Sequence, residues 1–435
     1  MTKDKHDSNH NSQFSTLSSQ LIPRWLPSLY FAKGLSQVAL MALAVILYKQ
    51  LGLSNAAITF YVAWFYLPWV VKPLWKSYVL KTHSRRWWIL LSQLLLGAGF
   101  GGVAFTIHAQ FWLQGTLFLF WLIAFASATH NEAADNLYRQ QKIGKTVHRA
   151  ELIRQLSQKV AMALGQGVLV MLAGNMQVFY RNNIRYSWSL VFYIVAGLFL
   201  LLFFYHLYMQ SDEDPTPRQH IRFQDIWDEM KSGWKSFMQK PSITVILLFL
   251  LLYRLPEALM GKMSLLFLLD PMQNGGLGLA PQEYGLVMGT VGIIGLSLGG
   301  VLGSKAIHRD GANHWKWWMA CAMTVPDLLY VFLSYVLPES LSLISLCVFI
   351  EQFGYGFGIV FYLYCLNVFS RRSAGNIHRT IAKSFMALSM MLPTMIAGTL
   401  QLSWGYRTFF IVVVVLSAIT FWVTSLVRLD QGDRK

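Results

Sequence analysis

Charged residues are scarce in this chain. Asp, Glu, Lys and Arg make up 13% of 435 positions, too few to give a domain of this length an ordinary water-facing surface. Acidic residues are the scarcer sign, 20 against 36 basic ones, for a formal net charge of +16. Such an excess can signal nucleic-acid binding. Here, however, Lys and Arg stand in short clusters between apolar runs rather than along one soluble face, so nucleic acid is not an expected partner. The few cysteines, Cys321, Cys347 and Cys365, lie inside apolar segments, where they behave as small hydrophobes and suggest no disulfide framework. There is no metal-ligand spacing, no redox pair and no nucleophile-and-base set, so no metal, cofactor or enzymatic activity is expected. The first twenty residues are rich in Ser, Asn, His and Lys and lack an apolar core, which reads as a disordered cytoplasmic tail (1–26) and not a cleaved leader.

What the chain does have is hydrophobic residues, 55% of the total, and aromatics, 15%, with a mean hydropathy of +0.42. Twelve segments are long enough to cross a bilayer core of about 30 Å as helices. They run roughly over Ser28–Tyr48, Ile58–Leu80, Trp87–Ile107, Phe111–Ala134, Leu152–Ala173 and Trp188–Met209, then Ile243–Leu266, Tyr284–Ile307, Trp315–Leu337, Leu341–Phe369, Thr380–Leu400 and Phe409–Leu426. Runs of this length exclude a closed barrel. The fold class expected is an all-α membrane protein, with one six-helix bundle over 27–209, a second over 241–427 and a short tail over 428–435.

Between the two sets lies the one long polar interruption, 210–240. Phe223, Ile226, Trp227, Met230, Trp234, Phe237 and Met238 recur there at helical spacing, with Lys231, Lys235 and Lys240 off that stripe. This pattern predicts a basic amphipathic helix on the surface of the lipid bilayer, linking two embedded halves. The basic clusters fall on alternate loops: Lys81, Arg85 and Arg86; Arg139, Lys142, Lys145 and Arg149; Lys305 and Arg309; Arg371, Arg372 and Arg379. By the positive-inside rule, those loops, the linker and both termini are cytoplasmic, in a multi-pass membrane protein. A weak internal repeat matches the division. Leu51-Gly52-Leu53-Ser54 precedes the second span as Leu277-Gly278-Leu279-Ala280 precedes the eighth, and Trp87-Trp88 opens the third as Trp317-Trp318 opens the ninth. Two six-helix bundles on one chain, joined by a cytoplasmic linker, are the signature of the major facilitator architecture, whose site lies between the halves.

A charge near the bilayer centre costs about 2.5–3.5 kcal/mol on insertion scales, so each one inside a span is a functional candidate. In the seventh span Tyr253, Arg254 and Glu257 flank Pro256, which must bend or break the helix; Arg254 and Glu257 share a face, either as a substrate site or as an ion pair that neutralises itself. The tenth carries Glu351, Gln352 and Tyr355 in a run of alternating glycines and aromatics. The glycines suit close packing, and the aromatics and Gln352 suit a sugar site. Glu351 has no opposite charge nearby in sequence and is the first choice for the coupled proton, with Asp135 and Asp327 as the other carboxyls in that role. At the end of the fourth span Glu132 and Asp135 share a face, Asp135 is spaced to pair with Arg139, and His130 is a further candidate. Arg154 and Lys159 in the fifth are candidates for an anionic substrate; Lys33, Lys72 and Lys383 complete the set, unless they snorkel at span ends.

At these residues the chain resembles the AmpG-type muropeptide permeases, a branch of the major facilitator superfamily related to acetyl-coenzyme A transporters. The resemblance is carried by Leu67-Pro68 to Lys72-Pro73-Leu74-Trp75, by Ser127 to Tyr138, by Tyr253 to Ala258 and by Glu351 to Gly358, and covers nearly the whole chain after the tail. It implies a monomeric, proton-driven importer of anhydro-muropeptides by alternating access, with a small-molecule substrate and protons as partners. The chain departs from the family pattern at His130-Asn131, where Gln-Asp is favoured, a change that removes a carboxylate but leaves Asp135. It departs again at Val79-Leu80-Lys81 and Ser304, where the gating loops usually carry an acid. A siderophore or another oligosaccharide in the same fold is the alternative substrate class; a membrane enzyme or receptor is a third, without a motif to support it.

Overall fold

The computed structural model describes residues 22–140, 147–209, 222–370 and 377–429. Most of the expected tail (1–21), the start of the linker (210–221), the last residues (430–435) and the loop cations Lys142, Lys145, Arg371 and Arg372 lie outside the described residues. Those described are helical and contain no strand. Among the described residues, ten helices are long and apolar enough to cross a membrane: Leu26–Gln50, Arg85–Thr106, Trp112–Arg139, Arg149–Phe179, Ile184–Met209, Ile243–Leu269, Pro281–Asp310, Ala312–Val336, Leu341–Phe369 and Ile377–Leu426. A pair bent by 46°, Asn55–Val70 with Lys72–Val79, makes another span. The last helix is 50 residues long but has a non-helical residue, Gly405, at φ 72°. Fifty residues at 1.5 Å each would far exceed a bilayer, so Gly405 divides it into an eleventh and a twelfth span, 377–404 and 406–426, and the total is the expected twelve.

Each break has a local cause. In the second span Trp64–Tyr66 tightens to a 3₁₀ turn before Pro68, and the helix breaks at Val71 before Pro73. The seventh is interrupted between Leu252 and Leu255, with Pro256 in the first turn of the restarted helix, and the ninth narrows to a 3₁₀ turn at Val325–Asp327 around Pro326. Three other spans widen into π-helix: Ala39–Leu43 in the first, Ala163–Leu169 in the fifth and Val287–Gly292 in the eighth. The repeat noted in sequence has a conformational basis. Gly52 and Gly278 both hold positive φ, 87° and 67°, in the turns that enter the second and eighth spans.

Two expectations change. Trp25 and Leu26, placed at the end of a tail, are buried against Leu29, Tyr30, Ile89 and Ala133 and belong to the core. The linker helix, Phe223–Met238, packs part of its apolar stripe against protein. Ile226 and Phe237 are buried, the Trp234 ring sits 5.7 Å from Phe385, and Ser236 Oγ lies 2.7 Å from His378 Nε2, both partners being in the eleventh span. Lys81 at the end of the second span pairs with Glu229 at 2.9 Å, so the helix touches spans from both sets of six. Trp227 and Trp234 both stay exposed on their other faces. Just beyond, Lys240 donates to Phe369 O, and burial lowers its pKa from the ordinary lysine value.

Candidate functional site

A cavity of about 550 Å³ lies between the first six spans and the last six. The first, second, fourth and fifth spans contribute Lys33, Gln37, Tyr66, Trp69, Lys72, Asn131, Asp135, Gln158 and Gln166 to its wall; the seventh, tenth and eleventh contribute Arg254, Glu257, Lys262, Glu351, Gln352, Tyr355 and Lys383. It therefore holds five cations and three carboxylates in an otherwise apolar protein, the density of charge that the bilayer penalises most and that marks a working site.

The broken seventh span presents the densest part. Because its α-helix restarts at Leu255, Arg254 occupies the cap position with φ −101°, and its side chain leaves the helix toward the cavity. Arg254 Nη2 donates to Tyr355 OH at 2.8 Å, and the guanidinium lies 5.6 Å from the Tyr362 ring. No ion pair joins it to Glu257 among the described residues. The self-neutralising pair is therefore not formed: Arg254 is held by an aromatic neighbour, and its Nε has no hydrogen-bond partner among the described residues. Glu351 accepts from its neighbour Gln352 at 2.9 Å. Gly354, Gly356 and Gly358 are packing positions, as expected; a Cβ at Gly354 would stand 2.1 Å from Ala322 O.

Asp135 faces the cavity and accepts from Lys33 Nζ at 2.7 Å and Tyr30 OH at 3.1 Å, with Lys383 Nζ at 4.0 Å across from the eleventh span. Its carboxylate meets Lys33 from the first span, whereas spacing suggested Arg139. Arg139 Nε donates to the Asp135 backbone carbonyl, and the guanidinium reaches Glu132 at 3.4 Å. Glu132 instead collects Lys72 at 2.8 Å and Lys76 at 3.6 Å, and Lys76 Nζ donates to Thr380 Oγ1 at 2.6 Å, bridging the two sets of spans. These residues, with Arg379 and Lys383, line a narrow polar recess toward the end of the molecule that carries the termini.

Five candidates lie elsewhere. Arg154 pairs with Glu151 and sits over the Tyr30 and Tyr138 rings at 5.3 and 5.2 Å, off the cavity wall. Partly exposed Lys159 is not on that wall either. His130 is buried in the first six spans, where a hydrogen-bonded chain runs from Ser28 through His206 and Gln93 to His130. Tyr253 is a core aromatic whose ring packs on Phe249 and Tyr362. Asp327 is buried behind the cavity in the ninth span's 3₁₀ turn, and neither carboxylate oxygen has a hydrogen-bond partner among the described residues.

The end opposite the termini is sealed by residues that sequence reasoning passed over. Lys49 closing the first span pairs with Asp270 closing the seventh; Asn55 Nδ2 lies 2.8 Å from Asp270 Oδ2 and 2.9 Å from Gln401 Oε1, and Tyr406 OH donates to Asp270. Backbones meet there without intervening side chains: a Cβ on Gly398 would lie 2.3 Å from Asn55 O, and one on Gly289 would lie 2.2 Å from Gly167 Cα. The only sequence signal was a polar residue beside a span end, which is too common to single out.

The family model described as Major Facilitator Superfamily matches residues 28–398. Two curated relatives bear the name "Putative transporter AmpG 4": that of Rickettsia conorii (strain ATCC VR-613 / Malish 7) is 20% identical over 397 residues, covering 88% of this chain and 91% of the relative, and that of Rickettsia felis (strain ATCC VR-1525 / URRWXCal2) is 21% identical over 341 residues, covering 77% of each. Among solved structures, the nucleoside transporter NupG superposes with a TM-score of 0.65 at 15% identity over 93% of this chain and 99% of its own. The D-xylose-proton symporter gives 0.64 at 14% over 94% and 97%, and a POT family transporter in complex with 5-aminolevulinic acid gives 0.69 at 11% over 92% and 94%. With twelve spans closed around a charged cavity and that family's model matching most of its length, the chain belongs to the Major Facilitator Superfamily and is a multi-pass secondary transporter.

Proposed function

We propose that this transporter imports anhydro-muropeptides or related glycoconjugates across the inner membrane, driven by protons, with both termini cytoplasmic. The observation that carries the reading is the composition of the cavity wall. Cations (Arg254, Lys33, Lys72, Lys383) and carboxylates (Glu257, Glu351, Asp135) stand on one surface with Tyr66, Trp69 and Tyr355. A solute with carboxylates, an amine and sugar rings matches each class: guanidinium and ammonium for the carboxylates, Glu257 for the amine, and aromatic faces with Gln352 for the sugars. The volume lies inside the range of about 300–1,000 Å³ usual for small-molecule sites. Similarity to the AmpG-named relatives points the same way.

In this reading Glu351 carries the proton. Its carboxyl sits mid-span on the cavity wall with Gln352 as its one hydrogen-bond partner among the described residues, so it can load from one side and discharge to the other as the cavity alternates. Asp327, buried behind the wall, is the second carboxyl in that path, and Asp135, held by Lys33, is the least free. The test is uptake of a labelled panel of anhydro-muropeptides, oligosaccharides and siderophores into proteoliposomes under an imposed proton gradient. Glu351→Gln is expected to bind and exchange the accepted solute but not to concentrate it. Gradient-driven accumulation by that variant removes Glu351 from the mechanism, and transport of only the siderophores or neutral oligosaccharides removes the muropeptide reading.

A further inference from the structure

Lys262 stands apart from the other cations of the cavity. Lys33, Lys72 and Lys383 each lie within 4.0 Å of a carboxylate, and Arg254 is bonded to Tyr355. Lys262 is buried on the wall, and its one hydrogen bond among the described residues runs to a neutral group, the backbone carbonyl of Met41. That carbonyl belongs to the π-helical turn Ala39–Leu43 of the first span, where Ala44 N–H donates to Ala39 O five residues back; the widened turn departs from the α-helical register and presents Met41 O to a side chain from outside the helix. The bond therefore joins the seventh span to the first across the boundary between the two sets of six. It does so about two turns inside the Lys49 and Asp270 pair that joins the same two spans at the sealed end.

A buried ammonium matched only by a carbonyl is undercompensated, because a neutral acceptor offsets far less of the lost hydration than an anion does. We propose that Lys262 is the deep pole of the substrate site for an anionic group, a carboxylate or phosphate, and that its bond to Met41 O is the idle position from which that group draws it. Entry of the anion replaces a bond between the two sets of spans with one between protein and solute, so occupancy loosens the seal that the empty protein keeps. This rests on the reading of the cavity as the transport site and adds where the anion goes and how its arrival is passed to the seal.

Two measurements test it, one without ligand. With the three native cysteines replaced by alanine and Met390 on the cavity wall changed to cysteine, a membrane-impermeant maleimide is added from the face opposite the termini. Lys262→Met, which keeps length but not charge, is expected to raise the labelling rate about threefold or more over the same protein with Lys262, and Lys262→Arg to bring it back down. An unchanged rate in the Met variant refutes the tether. The second measurement is binding of an anhydro-N-acetylmuramyl tripeptide and of its carboxyl methyl ester. The Met variant is expected to lose about 10- to 100-fold affinity for the acid, the range of one charged hydrogen bond, and to hold the ester within about threefold. Equal losses for acid and ester, or none, refute the anion pole. If the unsubstituted protein binds neither form, the muropeptide reading and the anion pole fall together, while the labelling rate still decides the tether. Thermal unfolding of each variant separates a misfolded protein from an altered site.

Discussion

Asp270→Asn should unlock the sealed end. Asp270 is 2% exposed and sits where the seventh span ends, taking the Lys49 ion pair and hydrogen bonds from Asn55 and Tyr406. These four residues lie on four different spans, so the carboxylate ties the first, second, seventh and twelfth together only while that end is closed. Asparagine keeps the volume and an acceptor oxygen for Asn55 and Tyr406 but removes the charge. What is lost is the difference between charged and neutral hydrogen bonding plus the ion pair, discounted because Lys49 keeps some access to water and regains hydration on opening. The net is about 2 kcal/mol, or a shift of about 30-fold in the ratio of open to closed molecules. Spin labels at Phe179 and Ser403, exposed positions near that end of the fifth and eleventh spans, would report it as growth of the longer distance in pulsed electron resonance. Tyr406→Phe, which removes one hydrogen bond and no charge, should shift the ratio by less than tenfold. A distance distribution unchanged in Asp270→Asn, in protein that still melts cooperatively, would show that the glycine contacts hold the seal and that the polar cluster does not.

Other outcomes follow from the same geometry. Arg254→Lys should weaken binding of the true acidic substrate about tenfold with little change in melting temperature, because a lysine offers neither the bidentate fork nor the planar face that the Tyr362 ring meets; equal affinity in a binding titration refutes the role. Gly289→Val should bias the protein toward the state open at the end opposite the termini, or destabilise it by a few kcal/mol, since even a Cβ there would lie 2.2 Å from Gly167 Cα. Maleimide labelling together with a melting curve distinguishes these two, and a variant with wild-type values in both refutes the close contact.

What the sequence determined by itself was everything set by local composition. The spans were legible because about twenty apolar residues in a row dictate a membrane helix whatever surrounds them. The break at Pro256 was legible because proline removes a donor from its own helix, and the repeat at Gly52 and Gly278 because both turns require positive φ. Which charges meet was decided only in the folded protein. Pairing depends on the rotation of each helix about its axis, and a π turn shifts that phase by about 100° for every residue beyond it. The fifth span has such a turn next to the cavity, and so do the first and eighth, so spacing rules did not foresee Lys262 reaching Met41 or the meeting of Gly167 with Gly289. Asp135 illustrates the same limit. Spacing offered Arg139 on its own helix, but Lys33 from the first span approaches closer, and a partner brought in by tertiary packing prevails over one set by sequence distance.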